Sequence, residues 1–225
     1  MSKIILVTGA NAGIGFELVQ LLAEKGHTVY LGARNPTSGK EAQEKLIEGG
    51  SKTVKFVEID VAKLPSILAA RQEIESTEGK LDVLINNAGI AKMDTNLYGL
   101  IEATKAFVPL LRKSTTGAPV ILNVTTDMAS NAFQARPNSA LHFVAYNTSK
   151  AAANSYTIAL ANELKKDNFK VNAVTPGFTS SKLNNFGQGG KSTRDGASVL
   201  LPWALLGKEG QTGLFIGEDQ KEFPW

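Results

Sequence analysis

The segment Ile4–Gly15, IILVTGANAGIG, decides the fold of this 225-residue chain. Its first four residues, Ile4–Val7, predict a strand, because the apolar run is too short for a buried helix and Gly9 follows closely. A helix is predicted directly after the glycines, where Leu18 and Leu22 follow helical spacing. Strand, glycine-rich turn and helix in this order favour dinucleotide binding, since the helix N-terminus offers free N–H groups to phosphate oxygens.

The rest of the chain alternates short apolar runs with amphipathic segments. The predicted strands are Ile4–Val7, Thr28–Leu31, Val54–Ile59, Leu81–Ile85, Val120–Val124, Val171–Val174 and Leu214–Ile216. The predicted helices are Ile14 to the residue before Gly26, Thr37–Glu48, Pro65–Thr77, Asn96–Arg112, Tyr146–Lys166 and Ala197–Leu205. This alternation predicts an α/β fold, a doubly wound parallel sheet with helices on both faces. No long Pro, Gly or Ser linker interrupts it, so residues 1–225 are predicted to form one domain.

Composition excludes several functional classes. The chain has no cysteine, which excludes a disulfide scaffold, a thiolate metal site and a cysteine nucleophile, and we predict no metal site. The 24 basic and 21 acidic side chains leave a net charge of +3, too small to favour a nucleic-acid partner. No apolar run reaches the ~18 residues of a membrane helix. The chain also begins without a secretory leader, so we predict a cytoplasmic protein without a membrane partner.

Three motifs, in a fixed order, resemble the short-chain dehydrogenase/reductase family. The glycine turn has the spacing G-x-x-x-G-x-G, Asn86–Gly89 reads NNAG after the fourth strand, and Tyr146 and Lys150 form Y-x-x-x-K on a later helix. The resemblance covers nearly the whole chain and is to single-domain members of the carbonyl-reductase type. It implies a Rossmann fold and a nicotinamide dinucleotide cofactor.

The resemblance implies a catalytic group of four residues: Tyr146, Lys150, Thr126 and Asn96. Tyr146 would protonate the developing alkoxide, and Lys150, one helical turn away, would lower the pKa of Tyr146 and bind the nicotinamide ribose. Thr126 would hydrogen-bond the substrate oxygen. Asn96 would support a proton relay through water.

Thr126 departs from the family pattern, which has serine there. The segment reads NVTTD, and a threonine hydroxyl offers the same donor and acceptor with an added methyl group. Thr125 or Ser130 could replace Thr126 if the register differs. Asp127, directly after Thr126, is unexpected.

The resemblance also implies a set of cofactor-binding residues. They are Gly9, Asn11, Gly13, Ile14, Gly15, Arg34, Asp60, Val61, Asn87, Ala88, Gly89, Tyr146, Lys150, Pro176, Gly177, Thr179 and Ser181. Some have a second interpretation: Asp60 could cap the next turn, and either Thr179 or Ser181 could contact the nicotinamide carboxamide.

The end of the second strand bears on cofactor choice. Ala33 stands where an acidic residue would bind the adenosine ribose hydroxyls of NAD, and Arg34 follows as a partner for a 2′-phosphate. We therefore expect NADP(H) to be preferred over NAD(H). The alternative is an ordinary surface arginine.

The predicted function is NADPH-dependent reduction of a ketone or aldehyde, or the reverse reaction, on a small-molecule substrate. The alternative is a catalytically weak or inactive protein of this fold that binds the cofactor or has a regulatory role. The connection Gly89–Asn96 is much shorter than in relatives, which could open the pocket, disturb the fold locally or weaken an expected homodimer or homotetramer. The segments Ser130–Val144 and Asn184–Asp195 are predicted to line the substrate pocket, the second as a mobile loop or lid.

Overall fold

All seven predicted strands are present in the computed structural model, which describes residues 2–139 and 141–225. They are β1 Ile4–Thr8, β2 Thr28–Ala33, β3 Val54–Glu58, β4 Val83–Asn86, β5 Val120–Val124, β6 Lys170–Val174 and β7 Phe215–Ile216. They form one sheet in the order β3-β2-β1-β4-β5-β6-β7, and every neighbouring pair is parallel. The predicted doubly wound sheet is confirmed.

The helices match the predicted set with two additions. They are α1 Gly13–Glu24, α2 Pro36–Glu48, α3 Leu64–Glu78, α4 Leu100–Leu111, α5 Asn131–Gln134, α6 Val144–Glu163 and α7 Thr193–Ala204. The single turn α5 lies where the sequence predicted a loop. A π-helix, Asp94–Gly99, precedes α4 and replaces the start of the helix predicted from Asn96. The last helix begins at Thr193, four residues earlier than predicted, because Ser192 Oγ caps it by accepting from Asp195 N at 3.0 Å.

Side chains of each strand alternate between two apolar layers, one on each face of the sheet. Ile5 and Val7 of β1 belong to the layer covered by α1, α2 and α7, whereas Leu6 belongs to the layer covered by α3, α4 and α6. Strands buried on both faces explain the continuous apolar runs in the sequence. Among the described residues no helix is both long and apolar enough to cross a bilayer.

A buried polar chain fixes the helices that carry the candidate site. Asn86 Nδ2 of β4 donates to Asn123 Oδ1 of β5 at 2.9 Å and to Thr104 Oγ1 of α4 at 3.0 Å. Asn123 Nδ2 donates in turn to Thr157 Oγ1 of α6 at 2.8 Å. The chain path reverses between β1 and β4, and crevices at such switch points are where α/β sheets bind ligands.

Candidate active site

The glycine turn is packed against the end of β4. Gly9 has φ +65°, and a Cβ there would lie 2.7 Å from Ala88 Cα. A Cβ on Gly15 would lie 2.5 Å from Asn87 Nδ2. At Gly13, with φ +63°, an added Cβ would meet no described atom within 4 Å, so the outer surface of the turn is open. Two glycines thus allow close packing, and the third leaves the backbone accessible.

Hydrogen bonds lock the same two segments together. Thr8 Oγ1 accepts from Asn87 N and Ala88 N, both at 3.1 Å, and donates to Ile85 O at 3.3 Å. Asn87 Nδ2 donates to Thr8 O at 2.9 Å and to Gly9 O at 3.1 Å. The NNAG segment therefore braces the turn.

The start of α1 fits a pyrophosphate. Ala12 precedes the helix and offers no capping side chain, and the first turn has no acidic residue. The first N–H groups of the helix have no intrahelical acceptor, so they are free for an anion. The open Gly13 backbone lies at the same place. We call this surface, formed by residues 9–15 with Asn87 and Ala88, the dinucleotide cradle.

The end of β2 carries a cation without a carboxylate beside it. Ala33 is buried and Arg34 is exposed, and within the described ranges the Arg34 guanidinium forms no salt bridge. Asn35 Oδ1 caps α2 by accepting from Ser38 N at 3.0 Å. Asn11 Nδ2 of the cradle donates to Ser38 Oγ at 3.2 Å, which joins the two loops.

Asp60 and Val61 follow β3. Asp60 Oδ1 accepts from Ala62 N at 3.1 Å, and Lys63 Nζ lies 3.6 Å from Asp60 Oδ2. Asp60 N donates to Ser66 Oγ at 2.9 Å. Asp60 therefore closes a turn, which is the second of its two predicted interpretations. Val61 is buried.

Asn96 lies inside the π-helix Asp94–Gly99 and is 1% exposed. Its Oδ1 accepts from Ile90 N at 2.9 Å, and its Nδ2 donates to Ile90 O at 2.5 Å and to Ser149 Oγ at 2.9 Å. Single π turns are frequent at functional sites. These bonds close the short connection Gly89–Asn96, so the fold is not broken there.

Lys150 reaches from α6 to the end of β5. Its side chain is buried, and Nζ donates to Val124 O at 2.8 Å. A Cβ on Gly89 would lie 3.5 Å from Lys150 Nζ and 3.6 Å from Asn96 Oδ1. Burial lowers the pKa of Lys150 to about 8. Lys150 and Asn96 therefore lie beside Gly89, the last residue of the NNAG segment.

Tyr146 lies one turn before Lys150 and is half-buried. Burial, with a further contribution from the Asp127 carboxylate, raises the pKa of Tyr146 to about 12. The predicted lowering of this pKa by Lys150 is therefore wrong for the chain in this structure. The phenol keeps its proton at neutral pH, which is the form that can donate one.

Thr126 begins the 3₁₀ turn Asp127–Ala129. Its Oγ1 accepts from Met128 N at 3.3 Å and donates to Asp127 Oδ1 at 3.0 Å. The same hydroxyl is the predicted donor to the substrate oxygen. To act there, it has to release Asp127.

The two predicted substitutes for Thr126 are engaged elsewhere. Thr125 Oγ1 donates to Asn154 Oδ1 at 2.8 Å. Ser130 Oγ accepts from Phe133 N at 2.9 Å, capping α5, and donates to Trp225 O at 3.3 Å. Both side chains are buried, as is that of Thr126, so burial does not distinguish the three hydroxyls.

The segment after β6 carries the last predicted residues. Pro176 is buried, and Gly177 has φ +73°. Thr179 is buried, and its Oγ1 donates to Gly177 O at 3.1 Å. Ser181 is half-buried, and its N donates to Asn184 Oδ1 at 3.0 Å. The Thr179 hydroxyl is thus used within the loop, which favours Ser181 for a cofactor contact.

Two features of the site were missed in the sequence. Ser149 holds Asn96, and it lies inside the Y-x-x-x-K motif three residues after Tyr146, so helical spacing could have indicated it. The effect of Asp127 on Tyr146 joins residues 19 positions apart, and no local pattern indicates it.

Curated relatives match over nearly the full length of the chain. The short-chain dehydrogenase anuI of Penicillium roqueforti is 31% identical, covering 99% of this chain and 97% of the relative. The (+)-neomenthol dehydrogenase of Arabidopsis thaliana is 32% identical, and the match covers 96% of this chain and 96% of the relative. Its alignment spans 288 positions, more than the 225 residues here, so this relative has segments that our chain lacks.

Solved structures show the same fold. Salutaridine reductase from Papaver somniferum has a TM-score of 0.84 at 26% identity, covering 95% of this chain and 99% of that one. Carbonyl reductase from chicken fatty liver superposes with a TM-score of 0.88 at 24% identity, and the match covers 100% of this chain and 99% of that one. The profile of the family described as short chain dehydrogenase matches residues 3–188. With a full-length match to curated members as well, the chain belongs to the short-chain dehydrogenase/reductase family of oxidoreductases.

Proposed function

We propose that this protein is an NADPH-dependent reductase of ketones or aldehydes, working through Tyr146, Lys150, Thr126 and Asn96. The observation that carries the proposal is the placement of Lys150 Nζ against Val124 O, beside Gly89 and Asn96. It sets the Tyr146–Lys150 face of α6 next to the dinucleotide cradle. Relatives named as a dehydrogenase and a reductase support this class of reaction.

Each residue has a role that its contacts allow. A bound nicotinamide would supply a hydride to the carbonyl carbon of the substrate. Tyr146, protonated at neutral pH, donates its proton to the oxygen as negative charge develops there. Thr126 donates a hydrogen bond to that oxygen and stabilises the charge. Lys150, held on Val124 O, presents its remaining N–H groups to the ribose, and Asn96 fixes the adjoining loop through Ile90.

The cradle and the end of β2 support the choice of NADP(H). The N-terminus of α1 would hold the pyrophosphate, and Arg34, which has no salt bridge to the described residues, would offer its guanidinium to a 2′-phosphate, with no carboxylate at Ala33. We expect Arg34→Ala to weaken NADPH binding about tenfold more than NADH binding. Lys40→Ala, which removes an exposed positive charge from α2, is the matched control. Equal losses for both dinucleotides would contradict the phosphate contact.

The test of the function is the loss of NADPH absorbance with a broad panel of ketones and aldehydes. Turnover of some of them, abolished in Tyr146→Phe, supports a reductase. Tight NADPH binding without turnover of any panel member would favour the alternative, a catalytically weak or inactive cofactor-binding protein. The bond from Thr126 to Asp127 is the observation that favours that alternative.

Location and assembly remain proposals that rest on the sequence and on the family resemblance. We propose a cytoplasmic protein that forms a homodimer or homotetramer, and size-exclusion chromatography with light scattering measures the assembly. A monomer at micromolar concentration would contradict this part of the proposal.

A further inference from the structure

Asp127 is the one acidic side chain that the sequence places directly beside the predicted oxygen-binding hydroxyl. It follows Thr126 and is half-buried. Its Oδ1 accepts from Thr126 Oγ1 at 3.0 Å, and this is the only hydrogen bond that its carboxylate makes with the described residues. No lysine, arginine or histidine of the described chain lies within 4.0 Å of it.

Within the described residues the carboxylate makes no hydrogen bond to the main chain of the local turn. Thr126 Oγ1 caps the turn by accepting from Met128 N, and the main-chain oxygen of Asp127 accepts from Ser130 N at 3.0 Å. Any residue at position 127 would supply that main-chain oxygen. A half-buried charge costs free energy unless a partner compensates it, so a carboxylate without a cationic partner among the described residues favours a cationic ligand.

The carboxylate is bonded to one residue of the proposed catalytic group and acts electrostatically on another. Asp127 lies close enough to Tyr146 for its charge to disfavour the tyrosinate, and it is bonded to Thr126. Both side chains converge, in the proposed function, on the substrate carbonyl oxygen. A group bound to Asp127 therefore belongs to the substrate, within a few bonds of its carbonyl.

We propose that Asp127 is a specificity-determining residue that selects carbonyl substrates carrying a protonated amine near the carbonyl. This inference rests on the proposed function, because it assigns the substrate class of the same site. A cation would pair with the carboxylate, and a carboxylate on the substrate would be repelled.

The pairing would also prepare Thr126 for catalysis. In this structure the Thr126 hydroxyl hydrogen points to Asp127 Oδ1. A substrate ammonium that takes the place of the Thr126 hydroxyl at Oδ1 would free that hydroxyl to donate to the carbonyl oxygen. Binding of the amine and alignment of the hydroxyl would thus be coupled, and a neutral substrate would lack this coupling.

The test uses the full chain with NADPH and three ketones of similar shape: N-methyl-4-piperidone, 4-methylcyclohexanone and 4-oxocyclohexanecarboxylate. Binding is followed by the fluorescence of bound NADPH, which requires no turnover, and kcat/KM is measured in parallel. We expect the protonated piperidone to be favoured over the neutral ketone by about tenfold, and the carboxylate to be the weakest of the three.

Asp127→Asn should remove this ranking, because it keeps the shape and removes the charge. Glu209→Gln, an equal charge change at an exposed position, should keep it. A wild-type protein with equal or undetectable affinity for all three ketones would overturn the proposal, and so would a ranking that survives in Asp127→Asn. Reduction of neutral members of the broad carbonyl panel decides the proposed function separately.

Discussion

The dinucleotide cradle is joined to the end of β4 by bonds between side chains and the main chain, and the segment after β5 adds bonds between pairs of side chains. In the cradle, side chains bond to main-chain atoms, as Asn87 does with Thr8 O and Gly9 O. In the segment after β5, Thr126 bonds to the side chain of Asp127 and Thr125 to that of Asn154. Main-chain contacts follow from the fold, whereas side-chain pairs can differ from one member of a fold to another. The cradle should therefore tolerate little change, and the segment after β5 should set what is particular to this protein.

Among the substitutions that compare the two regions, Gly9→Ala should have the largest effect. Gly9→Ala places a Cβ 2.7 Å from Ala88 Cα at a φ of +65°. We expect a loss of about 2–5 kcal/mol in the free energy of unfolding and about a hundredfold weaker NADPH binding. Denaturant unfolding and NADPH titration measure the two effects.

Gly26→Ala is the control for backbone strain alone. Gly26 has φ +82°, but no atom of the described residues lies within 4 Å of the added Cβ, so the variant should lose only about 1 kcal/mol and keep its NADPH affinity. Similar losses in both variants would show that close packing on Ala88 is unimportant.

The same contrast explains what could be predicted from the sequence. The strands and the cradle depend on local patterns: apolar runs, glycines at fixed spacing and the NNAG segment. The π-helix Asp94–Gly99 forms because Asn96 bonds to Ile90 and Ser149, and the latter is 53 residues away. The raised pKa of Tyr146 depends on Asp127 and on burial, which the spacing of Tyr146 and Lys150 does not indicate.

Changes at Thr126 test whether its hydroxyl serves the reaction. Thr126→Val removes the hydroxyl at nearly constant shape, and we expect kcat/KM for carbonyl reduction to fall about a hundredfold. Thr126→Ser keeps the hydroxyl and should retain most of the activity. NADPH affinity should be unchanged in both variants, and a Thr126→Val enzyme of normal activity would exclude the role.

The buried Lys150 should make stability depend on pH. Its pKa of about 8 lies below the ordinary lysine value near 10.5, so the unfolded chain binds more protons between these values. The free energy of unfolding should then rise by about 2 kcal/mol from pH 8 to 9.5. Lys150→Met should lack that rise. Denaturant unfolding at several pH values measures both slopes, and parallel curves for the two proteins would contradict the lowered pKa of Lys150.

The aromatic contacts of the segment after β5 should give the smallest effect. The Phe223 ring lies 5.2 Å from Phe215 and 5.7 Å from Phe133 of α5, between ring centroids. We expect Phe223→Ala to cost about 1–2 kcal/mol of stability and to raise KM a few-fold by loosening α5, with NADPH affinity unchanged. A matching loss of NADPH affinity would show that changes in the segment after β5 also disturb the dinucleotide cradle.

The most direct test of the account is Tyr146→Phe, with NADPH affinity and carbonyl turnover measured on one preparation. Removal of the phenol hydroxyl leaves the cradle intact and eliminates the proton donor. We expect an NADPH affinity within a few-fold of wild type and a fall in kcat of about a thousandfold. Turnover that persists in Tyr146→Phe, or affinity that is lost together with turnover, would contradict it.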